Sequence, residues 1–261
     1  MIDTHSHLYL GKFDGDRAAV HDRARNVLSH VFLPNIDLES LPKMNALADA
    51  DPGFFYPMLG LHPCYIKENY PEVLDQLEAE WESGRRYYGV GETGLDYYWD
   101  TTFAAGQKDS LRRHIAWAKA KDLPLILHCR ESMDDVIALV SEGQDGRLKG
   151  IFHCFNGSAQ QAAQIQDLGF LMGIGGVLTY KNSGVAEVVA GIDLAHLVLE
   201  TDSPYLPPVP HRGKRNESSY TALVARKLAE VKGTTVGEID RVTTANARQL
   251  FGVVEQAAPN G

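Results

Sequence analysis

Cysteine is scarce in this 261-residue chain: Cys64, Cys129 and Cys154 make an odd count, with no metal-type CxxC spacing. That excludes a disulfide-stapled scaffold and points to reduced thiols in a cytoplasmic protein. Long hydrophobic runs are missing as well. No stretch approaches the roughly 18 apolar residues that a membrane span needs. The first residues, Met1-Ile2-Asp3-Thr4-His5, lack the basic flank and apolar stretch of a targeting segment. Positive charge is in deficit, with 25 Lys and Arg against 34 Asp and Glu and a net charge of −9. Such a balance excludes a broad electrostatic grip on duplex nucleic acid while leaving room for a local phosphate site. Neither a Gly/Ser/Pro-rich linker nor an internal repeat divides the chain. One domain over residues 1–255 is expected, with a short tail over 256–261.

What is present is an ordinary globular composition, 44% hydrophobic and 23% charged. Short aliphatic runs recur at Ile2–His7, His30–Pro34, Phe55–Leu61, Tyr88–Glu92, Leu125–His128, Gly150–His153, Phe170–Ile174 and Leu197–Glu200. Amphipathic stretches separate them. Leu111, Ile115 and Ala118 share one face of a helix over 104–121, and Val73, Leu74, Leu77 and Trp81 one over 71–82. Ser132 and Ser158 read as helix caps, and Gly169 as a stop. Eight alternations of strand and helix predict an α/β protein, a single-domain TIM-like (β/α)8 barrel of the usual length of about 250 residues.

In such a barrel the carboxyl ends of all strands meet at one face, where active sites of this fold lie. Here His5 and His7, His62, Glu92, His128, His153 and Asp202 close successive strands. The pair His5-x-His7 is weak by itself, because ten histidines in 261 residues yield about 0.4 such pairs by chance. A spacing of two does put both imidazoles on one strand face. The same parity turns His128 and Arg130 into the mouth and Cys129 outward, and it assigns His153 and Cys154 likewise, so the cysteines read as packing residues. Glu92 lies in Gly89-Val90-Gly91-Glu92-Thr93-Gly94, whose small residues predict a sharp turn above the barrel. Glu200 shares the inward parity of Asp202 one layer deeper, and a buried carboxylate there needs a ligand histidine or a base to hold.

Four imidazoles and two carboxylates are too many donors for one catalytic zinc. They suit two divalent ions with open positions for water and substrate. Imidazole with carboxylate favours Zn, Mn, Co or Ni over a pure Mg or Ca site, although availability admits Mg. Two such ions outweigh two carboxylates, so the mouth of an acidic protein becomes electropositive and suited to an anionic substrate.

The chain resembles the TatD family of metal-dependent deoxyribonucleases in the amidohydrolase superfamily. The resemblance runs through Asp3-Thr4-His5-Ser6-His7-Leu8, Gly60-Leu61-His62-Pro63, Gly91-Glu92-Thr93-Gly94-Leu95-Asp96-Tyr97, His128-Cys129-Arg130, His153-Cys154-Phe155, Glu200-Thr201-Asp202-Ser203-Pro204-Tyr205-Leu206 and Pro210-His211-Arg212-Gly213-Lys214-Arg215-Asn216-Glu217. It implies that His5, His7, Glu92 and Asp202 hold one ion and Glu92, His128 and His153 the other. Glu92 would bridge, and Asp202 would also orient or deprotonate the attacking water. DNA ends or single strands are the implied substrate, with no membrane and no obligate protein partner.

Substrate contacts remain open between two readings. His62 is either a donor to phosphate or a turn residue before Pro63. Arg130 offers a bidentate fork for phosphate. The loop Arg212-Gly213-Lys214-Arg215 either tracks phosphates or is a solvated loop. Tyr97, Tyr98 and Trp99 either stack on a base or form a lid. On the same scaffold, a hydrolase of amides, lactones or small phosphoesters would use the same donors. A non-catalytic metal or nucleic-acid binding protein is the remaining rival.

Overall fold

The computed structural model describes residues 1–254; the tail expected over 256–261, together with Glu255, lies outside them. Eight strands lie where the aliphatic runs stand: β1 (Ile2–Asp3), β2 (His30–Pro34), β3 (Phe55–Met58), β4 (Val90–Asp96), β5 (Leu125–Arg130), β6 (Gly150–Phe152), β7 (Leu171–Ile174) and β8 (Leu197–Leu199). Between and after them come α1 (Arg17–Arg25), α2 (Leu41–Ala50), α3 (Tyr70–Glu80), α4 (Ala104–Lys121), α5 (Met133–Gly143), α6 (Ala159–Asp167), α7 (Val185–Ala190), α8 (Thr221–Lys232) and α9 (Val236–Phe251).

All neighbouring strands run parallel, in one arc of β1-β2-β3 and another from β4 to β8. Single ladder rungs join the arcs at both seams. Leu59 bridges Val90, with its amide on the Gly89 carbonyl at 3.1 Å. At the other seam Ser6 bridges Ser203, and the Thr4 and Asp202 amides donate to the Leu199 and His5 carbonyls at 3.0 and 2.9 Å. The ring is thereby closed as a (β/α)8 barrel, which leaves no free sheet edge.

Strand alternation sorts the core into two layers. Val31, Leu33, Leu125, Leu127, Leu197 and Leu199 pack outward against the helices. Phe32, Ile126, Ile151 and Val198 point inward with Ile2, Tyr56 and Met58. Ala247 and Phe251 of α9, with Val253 just beyond it, complete that inner layer, and the Phe251 ring stacks on Phe32 with centroids 3.7 Å apart. The last helix therefore plugs the end at which the strands begin. Among the described residues no helix is long and apolar enough to cross a membrane.

Several local expectations need correction. Regular pairing in β1 stops at Asp3, because the Asp3 carboxylate takes the His5 and Thr201 amides at 3.3 and 3.0 Å. The β4 strand does not turn at Glu92. It runs on to Asp96, with a register irregularity between Val90 and Thr93. Its small residues serve close packing instead: Gly94 has φ 142°, and a Cβ there would collide with the His128 carbonyl. Ser158 forms a full capping box with Gln161, but the Ser132 hydroxyl bonds the Leu95 carbonyl at 2.7 Å rather than capping α5.

Candidate active site

The inward layer changes character along the strands. Two residues beyond Ile126, Ile151 and Val198 stand His128, His153 and Glu200, all three turned the same way as the apolar residue before them. His5 and His7 arrive from the end of β1, Glu92 from the middle of β4, and Asp202 from the loop after β8.

Their polar atoms converge on Glu92. Its Oε2 lies 3.2 Å from His5 Nε2 and 3.4 Å from His7 Nε2. Its Oε1 lies 2.9 Å from His153 Nε2, 3.0 Å from His128 Nδ1 and 3.4 Å from His62 Nε2. Asp202 Oδ1 stands 3.8 and 3.5 Å from the His5 and His7 Nε2 atoms. Each oxygen of one buried carboxylate thus faces its own group of imidazole nitrogens.

Hydrogen bonds on the far side of the rings decide what those nitrogens offer. The Tyr9 hydroxyl donates to the Pro34 carbonyl at 2.6 Å, so it accepts from His7 Nδ1 at 2.9 Å. When the ring gives up its second proton, His7 therefore aims a lone pair from Nε2 into the cluster. His128 donates from Nε2 to Asp96 Oδ2 at 2.9 Å, which leaves the Nδ1 lone pair facing Glu92. His62 is the reverse case. Its Nδ1 accepts the Cys64 amide at 3.1 Å, so its inward Nε2 carries the proton. Of the two readings of His62, phosphate donor and turn residue, the structure shows the second: it caps the turn over 63–65, with Nε2 pointing toward Glu92.

The electrostatics suit cations. Burial works to raise the carboxyl of Glu92, but the His62, His153 and His5 rings hold it well below the usual carboxylate range. Asp202 is likewise buried yet held low by His7, His5 and His153. Burial opposes charge on His7, and the two carboxylates still push it up to about 9; Glu92 and Glu200 likewise drive His153 well above its ordinary value. Burial pushes His5 and His62 down instead, but the carboxylate field that raises His7 and His153 attracts divalent cations as well. Three sets, His5 with His7 and Glu92, His5 with His153 and Asp202, and His62 with Glu92 and His128, each present donors within 4.8 Å of one another.

Around this centre the supporting residues are partly unexpected. Glu200 is fully buried, accepts the Cys154 amide at 2.5 Å and lies 3.7 Å from His153 Nδ1. Its carboxylate fits only because residue 173 is glycine, since a Cβ there would occupy the Glu200 oxygen position. Asp96, which sequence reasoning quoted but gave no role, anchors His128. Its carboxyl is raised by burial but brought down to about 2 by His128 and by the Trp99 and Tyr98 amides. His114 on α4 was also missed. It holds the Leu61 amide at 3.0 Å with Nε2 while Nδ1 donates to the Ser110 carbonyl at 2.7 Å, fixing the backbone beside His62. Its one signal in the sequence is a histidine at helical spacing between Leu111 and Ala118.

The cysteines divide. Cys129 packs on the outer core as its parity demands. Cys154 does not, because a left-handed backbone at φ 49° breaks the alternation after β6, and Phe155 packs outward in its place. Burial and the charges of Asp202, Glu200 and Glu92 push the Cys154 thiol well above its usual value.

At the rim Arg130 lies over Tyr98, with its guanidinium carbon 3.8 Å from the ring centroid. Arg212 is exposed and sits over Tyr180 at 4.2 Å. Its neighbour Arg215 is not a free rim charge: it is forked onto Asp16 at 2.6 and 2.7 Å and joined to Glu217 at 3.1 Å. The expected cluster of three rim charges is therefore two. Tyr97 separates from Tyr98 and Trp99, since it packs on the core and donates to Asp135 at 2.8 Å.

Comparison with known proteins agrees over nearly the whole chain. Residues 2–252 match the family model described as TatD related DNase. The Bacillus subtilis (strain 168) "Uncharacterized metal-dependent hydrolase YabD" is 37% identical over 254 residues, 96% of this chain and 98% of that protein. The Escherichia coli (strain K12) "Uncharacterized metal-dependent hydrolase YcfH" is 32% identical over 266 residues, 96% of this chain and 95% of that one. The crystal structure of the TatD homologue YjjV from Escherichia coli K12 superposes with a TM-score of 0.91 at 33% identity, covering 97% of this chain and 98% of its own.

Proposed function

Because the chain belongs to the TatD family of metal-dependent hydrolases, we propose that it uses two divalent ions to hydrolyse phosphodiester bonds in DNA, acting on ends or single strands. The observation that carries this reading is the split allegiance of Glu92, with Oε2 toward His5 and His7 and Oε1 toward His128 and His153. In this reading His5, His7, Glu92 and Asp202 hold one ion, and Glu92, His128 and His153 hold the other. Bound divalent ions supply an acidified water and neutralise charge on the phosphate under attack.

The chain's own groups do the rest. Asp202, whose side chain is 15% exposed against 3% for Glu92, is the carboxylate that incoming water reaches. Held ionised by its histidines, it orients that water and takes its proton. His62 offers its Nε2 proton to a phosphate oxygen, which its fixed tautomer favours over metal ligation. Arg130 at the end of β5 and Arg212 on the loop after β8 complement further phosphates. Asp96 keeps His128 turned inward, and Glu200 places a carboxylate 3.7 Å from His153 Nδ1. Three free, partly buried cysteines fit a cytoplasmic setting that keeps thiols reduced.

The test is turnover of an end-labelled single-stranded oligonucleotide by metal-stripped protein reloaded separately with Mg²⁺, Mn²⁺ and Zn²⁺. Metal-dependent stepwise shortening, lost in His128→Ala and Asp202→Ala, is the expected result. Two equivalents of bound metal with DNA left intact under every ion would overturn the substrate, and lactones, amides and small phosphoesters would then be tried on the same protein.

A further inference from the structure

Large apolar side chains left in water are unevenly placed on this molecule. Of the eight among the described residues, six stand on the loops that follow the strands at the mouth: Tyr65, Tyr98, Trp99, Tyr205, Leu206 and Val209. A concentration of this kind at one end marks an interaction surface. Its most exposed aromatic members are Trp99, at 68%, and Tyr98, at 50%.

These two rings are held in place. The Tyr98 and Trp99 amides donate to Asp96 Oδ1 at 3.0 and 3.2 Å, and the other oxygen of that carboxylate takes the His128 Nε2 proton. One carboxylate thus ties the aromatic pair to the ring that faces Glu92. The rings meet edge to face, with centroids 4.9 Å apart and planes at 86°. Arg130 lies against both, its guanidinium carbon 3.8 Å from the Tyr98 centroid and 5.1 Å from that of Trp99. The guanidinium covers part of the pair and orients it.

We propose that Tyr98 and Trp99, braced by Arg130, form a stacking platform for the unpaired nucleobase next to the phosphate being cleaved. This inference rests on the phosphodiesterase reading and adds to it the group that the rim recognises. An aromatic face beside a cation suits a base and its phosphate together, and every base has a face to stack, so such a site selects unpaired DNA without selecting sequence. A base locked inside a duplex cannot reach it. The net charge of −9 is compatible with this mode of binding, because stacking replaces the long basic track that the chain lacks.

The experiment compares two end-labelled single strands, one intact and one abasic at the nucleotide flanking the cleaved bond. Wild type, Trp99→Ala, Tyr98→Ala and Trp99→Phe are assayed as metal-loaded enzyme for KM and as metal-stripped protein for binding by anisotropy. Wild type is expected to prefer the intact strand about tenfold in both measurements. Either alanine variant should weaken binding to the intact strand by about that factor and leave little preference between strands. Trp99→Phe should restore most of the preference, which a merely structural role would not predict. Equal cleavage and binding of intact and abasic strands by wild type overturns the platform and leaves the phosphodiesterase standing. Cleavage of neither strand overturns both.

Discussion

The two ends of the barrel interior are built from the same strands and do opposite work. Where the strands begin, Ile2, Phe32, Tyr56, Ile126, Ile151 and Val198 meet Phe251 in a dry, interlocked plug. Two residues further along, His128, His153 and Glu200 replace them with ionisable groups at the same inward parity. Burying imidazoles and carboxylates together costs stability unless something compensates. The plug supplies burial without charge, and the mouth spends it on a field that attracts cations. Stability and chemistry are therefore separable along each strand.

The sharpest way to test that separation is to hollow the plug. Phe32 is fully buried and stacks on Phe251. Phe32→Ala should cost about 3–5 kcal/mol, because the closed ring leaves little freedom to collapse around the cavity. Urea unfolding measures the loss, and metal stoichiometry at low temperature should stay unchanged in the fraction that remains folded. A variant that keeps its stability and loses metal would show that the two ends are coupled and break the comparison.

His114 is a buried ionisable group outside both ends, and it sharpens the contrast by pH. Burial pushes its pKa down to about 4, against about 6.5 in an unfolded chain. Between those values the unfolded state binds the extra proton, so stability is complete above pH 6.5 and falls as the pH drops toward 4. The loss from this one residue reaches about 3 kcal/mol. In His114→Gln that part of the acid limb should flatten, as read from urea midpoints at a series of pH values. Parallel curves for variant and wild type would place the acid sensitivity outside His114, in the mouth or at His30, which burial also pushes down to about 4.

How much of this was legible follows from how local each signal is. Strand positions and the parity of Ile126, His128 and Arg130 come from alternation within one segment, and sequence shows them directly. The Glu92 convergence was legible because a closed barrel brings all strand ends together whatever the loops do. What escaped depends on pairing between segments. The stretch Gly91-Glu92-Thr93-Gly94 looks like a turn until β5 lies beside it, when only glycine fits against Ile126 at position 91 and against the His128 carbonyl at position 94. Asp96 acquires a role only through the β4–β5 register that sets it opposite Arg130. Arg215 looks like a rim charge until Asp16, nearly two hundred residues away, is found holding it. Cys154 follows strand parity in the sequence and departs from it because the backbone there is left-handed.

Asp96 gives the smallest and most discriminating effect, since it acts on the mouth without belonging to it. Asp96→Asn keeps the side-chain shape and the acceptor for the Tyr98 and Trp99 amides, but removes the charge that holds the His128 ring. With a neutral amide the imidazole can turn its other nitrogen outward, and the lone pair now facing Glu92 is no longer fixed. Outer carboxylates of this kind are worth about 10- to 100-fold in metal affinity. Calorimetric titration of metal-stripped protein with Zn²⁺ or Mn²⁺ should therefore show one of two binding events weakened by that factor. The event that belongs to His5 and His7 should hold, because Tyr9 and Pro34 fix His7 from a different wall of the barrel. Equal weakening of both events would mean that the pair responds as one unit through Glu92, and that the mouth cannot be divided as finely as the strands that build it.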